Sequence, residues 1–129
     1  MADRKKVLLV EDDEFTRFMM KEIIGTLGVV VTLAKDGKEG CETLADDPDG
    51  YGLILMDLHM PGMSGIDATD HIRSLEMDPP REVPIIAVTA DVNYHDDARV
   101  EKLGMNGYAS KPVSPGNLLK LIDRYCVAA

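Results

Sequence analysis

The stretch "LILMDLHMPGMSG", residues 53 to 65, runs from unbroken apolar residues into one carboxylate, Asp57, and then into a loop punctuated by proline and glycine. An apolar run of this length bounded by turn residues is the pattern of a strand buried on both faces, as in parallel sheets covered by helices. Asp57 then stands at the carboxyl end of that strand. In open α/β sheets ligands bind at that rim, so an acid placed there suggests a site as well as a strand end.

Working outward, similar apolar segments recur at 6 to 10 ("KVLLV"), 29 to 34 ("VVVTLA"), 51 to 57 ("YGLILMD"), 83 to 90 ("VPIIAVTA") and 107 to 110 ("GYAS"). Helical patterns with legible start and stop signals lie between them. The first has Asp13 as N-cap, Phe15, Met19, Ile23 and Leu27 as an expected buried stripe, and Gly28 as its stop. The second opens at Asp36 with Glu39 three residues on. The third opens at Ser64 with Asp67 in the matching place, runs to about Glu76 and buries Ala68, Ile72 and Leu75. After the proline-rich "EMDPPREVP", a fourth is expected from about Asn93 to Leu103, stopped by Gly104. A fifth runs from Pro115 to about Cys126, with Leu118, Leu121, Ile122 and Tyr125 inward. Strand and helix alternate without a second composition zone, which predicts one doubly wound parallel sheet with right-handed crossovers. The chain stops after the fifth helix, giving the expectation of a single domain with no output domain.

Composition narrows the setting. The chain has 129 residues, 45% of them hydrophobic, enough for one ordinary core. Asp and Glu number 23 against 14 Lys and Arg, a formal net charge of −9, which argues against nucleic-acid or anionic-membrane partners. Cys41 and Cys126 form no CxxC or zinc spacing, as in reduced cytoplasmic proteins. The opening "MADRKKVLLV" has too short an apolar run for an export signal, and no stretch approaches the roughly 20 apolar residues of a membrane span. A soluble cytoplasmic protein is expected.

In a parallel sheet all strand ends share one rim, and here each ends in something polar. The first strand is followed by Glu11, Asp12 and Asp13, the third ends in Asp57, the fourth gives Thr89 and Asp91, and the fifth gives Ser110 and Lys111. Taken singly each has an ordinary explanation as a cap, a strand end or a solvated charge. Together they define a chemistry. Carboxylates about 5 Å apart at an effective dielectric near 20 repel by roughly 3 kcal/mol per pair, so the cluster needs a cation. Oxygen donors without His or Cys select a hard ion such as Mg²⁺, and the passage of "EDDEFTRFMM" directly into a helix excludes an EF-hand. With Mg²⁺ bound, a carboxylate can accept a phosphoryl group while metal, ammonium and hydroxyl neutralise its oxygens. Asp57 is then nucleophile and ligand, Asp12 a direct ligand, Glu11 a ligand through water, Lys111 the counter-cation and Thr89 the hydroxyl donor.

"LLVEDDEFTR", "LILMDLHMPGMSGIDA", "PIIAVTAD" and "GYASKP" resemble, in order and spacing across essentially the whole chain, the receiver domain of two-component response regulators, of the chemotaxis-regulator type. The resemblance implies a flavodoxin-like (βα)5 sheet of order 2-1-3-4-5 and a single receiver domain over residues 1–129, its core from about 5 to 126. It implies that Asp57 takes a phosphoryl group from a phosphohistidine of a histidine kinase or phosphotransfer protein, with Mg²⁺ as cofactor. The domain then promotes only its own phosphorylation and dephosphorylation and is no enzyme. The implied metal set is Glu11, Asp12, Asp57 and the backbone carbonyl of His59, with Asp13 left as a cap. The implied phosphoryl-binding set is Thr89, the Ala90 backbone N–H and Lys111, with Lys111-Pro112 cis. Thr89 and Tyr108 match the switch positions, so phosphorylation is expected to alter the surface of helix four, strand five and helix five for an effector protein. His59 and Asp91, each two residues beyond a site residue, are expected to set the phosphoryl lifetime. A monomer or weak dimer is expected.

His71 and His95 are expected to be solvated, and the eight Met residues to fill core and loops. A flavin carrier of the same fold is disfavoured because the first turn is acidic, where a phosphate-binding loop offers Gly, Ser or Thr. A metal-dependent phosphatase is disfavoured because Asp57 is followed by "LHM" and not by a second acid in Asp-x-Asp spacing. A phosphorylation-independent interaction module leaves the acid, hydroxyl and ammonium set without a purpose.

Overall fold

The computed structural model describes residues 5–126. Five strands, β1 (Lys6–Val10), β2 (Val31–Ala34), β3 (Tyr51–Asp57), β4 (Ile85–Thr89) and β5 (Gly107–Ser110), alternate with five helices. The helices are α1 (Glu14–Thr26), α2 (Gly37–Asp46), α3 (Gly65–Arg73), α4 (Asp97–Lys102) and α5 (Pro115–Tyr125). Every strand pair is parallel, and the sheet order is β2-β1-β3-β4-β5, the doubly wound flavodoxin-like arrangement. The winding reverses between β1 and β3, which opens a crevice over their carboxyl ends.

All seven residues of β3 are buried, as the unbroken apolar run predicts. Because side chains alternate along a strand, Ile54 and Met56 face one layer while Leu53 and Leu55 face the other. The first layer holds Leu44, Ala68, Ile72 and Val100 from α2, α3 and α4; the second holds Met20, Ile24, Leu118 and Ile122 from α1 and α5. Each fully buried Leu or Ile contributes about 1.5–3 kcal/mol, so the sheet is the rigid frame of the rim.

Helix starts follow the caps. Asp13 accepts from the Thr16 N–H, Asp36 from the Glu39 N–H, and Ser64 with Asp67 forms a reciprocal capping box. Gly28 and Gly104 take φ of 78° and 91°, the left-handed conformation that ends α1 and α4.

Several sequence expectations need correction. Strand bounds contract, with β2 beginning at Val31 and β4 spanning Ile85–Thr89, and α3 ends at Arg73 with Leu75 half-buried beyond it. In α1 the buried residues are Met20 and Ile24, while Phe15 is 72% and Met19 44% exposed. A strict four-residue spacing advances about 40° per step around a helix, so the stripe from Phe15 to Leu27 precesses across the face and cannot all turn inward. The expected fourth helix is interrupted: a 3-10 turn covers Val92–Tyr94 and α4 begins only at Asp97. Two acids account for the break. Asp91 caps the 3-10 turn through the Asn93 N–H, and Asp96 caps α4 through the N–H groups of Ala98 and Arg99.

Gly65 ties the frame to the rim. A Cβ at this position would run into the carbonyl oxygen of Asp57 and lie 2.9 Å from Met56 Cγ. Gly65→Ala is therefore expected to cost about 1–3 kcal/mol, as overpacking does, and to displace Asp57. Urea denaturation checks it, and unchanged stability would show that α3 can retreat without disturbing β3.

Candidate metal and phosphoacceptor pocket

Register builds the pocket. Val10 pairs with Met56, Asp57 with Val88, and Thr89 with Ser110, so Glu11, Asp57, Thr89 and Lys111 follow one another along neighbouring strand ends. Glu11 remains tied to β2 through its N–H to the Ala34 carbonyl, 3.0 Å. The carboxylates of Glu11, Asp12 and Asp57 offer oxygens that all lie within 4.8 Å of one another. Glu11 and Asp57 are buried, at 1% and 4% exposure, and Asp12 opens to solvent.

Lys111 enters from the β5 side. Its Nζ lies 2.7 Å from Glu11 Oε1 and 3.3 Å from Asp57 Oδ1, and the Lys111-Pro112 peptide that follows is cis. Burial opposes the charge on Lys111, but contact with Glu11 and the nearby Asp57 outweigh it and raise its pKa above the ordinary ammonium value. Asp57 is pushed the other way: burial first, then the adjoining Asp12 and Glu11, carry its carboxyl up to about 7, with Lys111 opposing.

The donor set suits a hard divalent cation. Glu11 Oε1 is buried and, despite its closeness to the ammonium, has no aligned hydrogen bond, while Oε2 accepts from the Asp13 N–H at 3.0 Å. One ammonium beside two buried carboxylates leaves negative charge uncompensated, which a divalent ion would offset. Three converging carboxylates with only oxygen donors match Mg²⁺ coordination, and the surplus negative charge supplies the attraction.

The remaining predicted residues surround this centre. Thr89 is buried at 2% exposure, and its Oγ1 accepts from the Asp91 N–H at 3.0 Å, leaving its own hydroxyl proton to donate. Ala90 is exposed beside it. His59 Nε2 meets Asp91 Oδ2 at 3.0 Å, joining the loops after β3 and β4, and the His59 ring lies edge-on to Tyr94. The Asn93 backbone N–H, with His59, holds the Asp91 carboxyl below its usual range.

His95 is not solvated as expected. Its Nε2 lies 2.9 Å from the Thr89 carbonyl oxygen, and since a carbonyl only accepts, Nε2 carries the proton. The ring stacks on Tyr108 with centroids 5.2 Å apart and planes 11° from parallel. His71 is exposed on α3. Neither Cys41 nor Cys126 forms a disulfide among the described residues, and no described helix is long and apolar enough to cross a membrane.

A doubly wound domain with an acidic, lysine-closed pocket at its switch point defines a signalling class, and the comparisons agree. The family model for the response regulator receiver domain matches residues 7–123, and the chain belongs to that family, a signalling domain of two-component systems. It is 34% identical over 122 residues to hybrid signal transduction histidine kinase I of Dictyostelium discoideum, covering 92% of this chain and 7% of that protein. It is 32% identical over 122 residues to the polar-differentiation response regulator DivK of Brucella anthropi, covering 94% of this chain and 95% of DivK. The chain thus spans a small part of the kinase and nearly all of DivK. Among solved structures, the receiver domain of sensor histidine kinase PA1611 from Pseudomonas aeruginosa, with magnesium coordinated in its active site cleft, superposes with a TM-score of 0.82. That pair is 34% identical, covering 95% of this chain and 97% of the other.

Proposed function

We propose that Asp57 is the phosphoacceptor of a Mg²⁺-dependent transfer from a phosphohistidine on a histidine kinase or phosphotransfer protein. One observation carries this reading: Glu11, Asp12 and Asp57 converge within 4.8 Å, with the Lys111 ammonium against two of them. Glu11, Asp12, Asp57 and the His59 backbone carbonyl are the candidate metal ligands. The ion, once bound, supplies positive charge to the transferring phosphoryl oxygens.

In the transfer, an Asp57 carboxylate oxygen forms a bond to phosphorus as the P–N bond of the donor breaks. The bonding pair stays on the imidazole nitrogen, which takes up a proton from solvent. Lys111, the Thr89 hydroxyl and the Ala90 N–H receive the phosphoryl oxygens. Drawing the Thr89 hydroxyl inward breaks its contact with the Asp91 N–H and frees Tyr108 to reorient. The effector-facing surface of α4, β5 and α5 changes in consequence. An apolar groove of about 420 Å³, lined by Phe15, Met19, Ala90, Lys111 and Pro112 among others, adjoins the acceptor and offers the donor protein a docking face.

Incubation with a small phosphodonor and Mg²⁺, read by intact mass, tests the assignment. Wild type is expected to gain one phosphoryl mass, and the gain to vanish in chelator. No gain in wild type would remove the proposal.

The His59 and Asp91 side chains, 3.0 Å apart, bridge two loops beside the acceptor, and we assign the lifetime of the phosphoryl group to them. His59→Ala and Asp91→Ala are each expected to shorten the half-life severalfold by admitting water. Unchanged decay of label in both variants would dismiss the assignment.

A further inference from the structure

We propose that Arg17 is a positioning residue for the acidic pair, holding the β1–α1 turn in the shape that aims Glu11 and Asp12 at Asp57. The inference rests on the proposed metal-binding role of the pocket. Arg17 Nη1 donates to the Glu11 carbonyl oxygen at 2.8 Å and contacts that of Asp12 at 3.4 Å. Both carbonyls belong to the turn that carries the two acids. Arg17 itself is anchored in the first turns of α1, its N–H donating to the Asp13 carbonyl at 2.9 Å.

The turn is held from several sides. Ala34 of β2 takes the Glu11 N–H, and Glu11 Oε2 takes the Asp13 N–H. Arg17 holds the opposite, carbonyl side, and does so with a side chain from outside the turn. Rotation of either peptide swings a carboxylate, and these oxygens lie within 4.8 Å of their partners, so a small rotation separates them. Outlying hydrogen bonds that orient ligating groups have this effect on metal sites generally.

Charge and position predict opposite signs. As a positive charge beside the pocket, Arg17 repels a divalent cation, and its removal would tighten binding. As a pin, it preserves the ligand arrangement, and its removal weakens binding. Mn²⁺, which shares the preference for oxygen donors, is the probe, its free ion counted by electron paramagnetic resonance in the full chain.

Arg17→Met and Arg17→Ala place good helix formers at this half-buried position, so both are expected to fold, as circular dichroism melts will show. Each is expected to weaken Mn²⁺ binding about tenfold or more, and Arg17→Lys, which keeps a donor of similar reach, to recover most of the loss. Wild-type binding with unchanged or tighter binding in the folded Met and Ala variants overturns the inference alone. Failure of wild type to hold Mn²⁺ overturns the pocket's metal role and this inference with it.

Discussion

At pH 8 in chelator, Asp57→Asn is expected to unfold about 4–10 °C above wild type, and with Mg²⁺ restored to take up no phosphoryl group from a donor that labels wild type. Both results have one cause. Asp57 is buried beside Glu11 and Asp12, and burial followed by these neighbours raises its carboxyl from 3.8 to about 7. A carboxyl raised in the folded state is tolerated there when protonated and disfavoured when ionised. Wild-type stability therefore declines as pH climbs from about 4, where the unfolded chain begins to ionise, through 7, and stays low above it. Three pKa units correspond to at most about 4 kcal/mol, and the amide also forgoes the attraction of Lys111, leaving a net gain of about 1–3 kcal/mol. The advantage of the variant should close toward pH 4. It should also narrow in Mg²⁺, which stabilises the wild type in place of the proton and has one ligand fewer in the variant. Equal melting temperatures in chelator at pH 8 would show that the three acids do not strain one another, and phosphoryl uptake by the variant would move the acceptor elsewhere.

The pocket was legible in one dimension because a parallel sheet aligns its strand ends. Acids after β1 and β3, a hydroxyl after β4 and an ammonium after β5 become neighbours once the register is set, and apolar runs such as residues 53 to 56 set it strongly. Caps were legible for a similar reason, since Asp13, Asp36 and Ser64 act on backbone only three residues away. What was not legible depends on contacts between distant elements. The exposure of Phe15 follows from the rotation of α1 against β1 and α5, which spacing alone leaves undetermined. The role of His95 requires β5 to bring Tyr108 under its ring and requires the chain to break after Tyr94. Two acids five residues apart, Asp91 and Asp96, carried the signal of that break. Arg73 is a third case: it donates to the carbonyls of Gly104 and Arg81 and to Asn106 Oδ1, joining α3 to loops that no local pattern connects to it.

Lys111→Met tests whether one ammonium serves both the fold and the transfer. Its Nζ lies 2.7 Å from Glu11 Oε1 and 3.3 Å from Asp57 Oδ1, and both partners are buried. Removing one member of a buried ion pair leaves the other uncompensated, which costs about 3–5 kcal/mol. That loss is expected in chelator at pH 8, by urea denaturation. It should shrink on acidification, because Asp57 without its cation rises further and takes up a proton at a pH where wild type is still partly ionised. Metal binding and transfer should then part company. With the competing ammonium gone, Mg²⁺ is expected to bind as tightly as in wild type or more so. Phosphoryl uptake should nevertheless fall by about 100-fold or more, because the bond-making step loses a charge that faces the transferring oxygens. A parallel fall in both properties would mean that Lys111 only shapes the pocket. Unaltered uptake would mean that the metal alone neutralises the phosphoryl group, leaving the lysine a structural counter-ion for two buried acids.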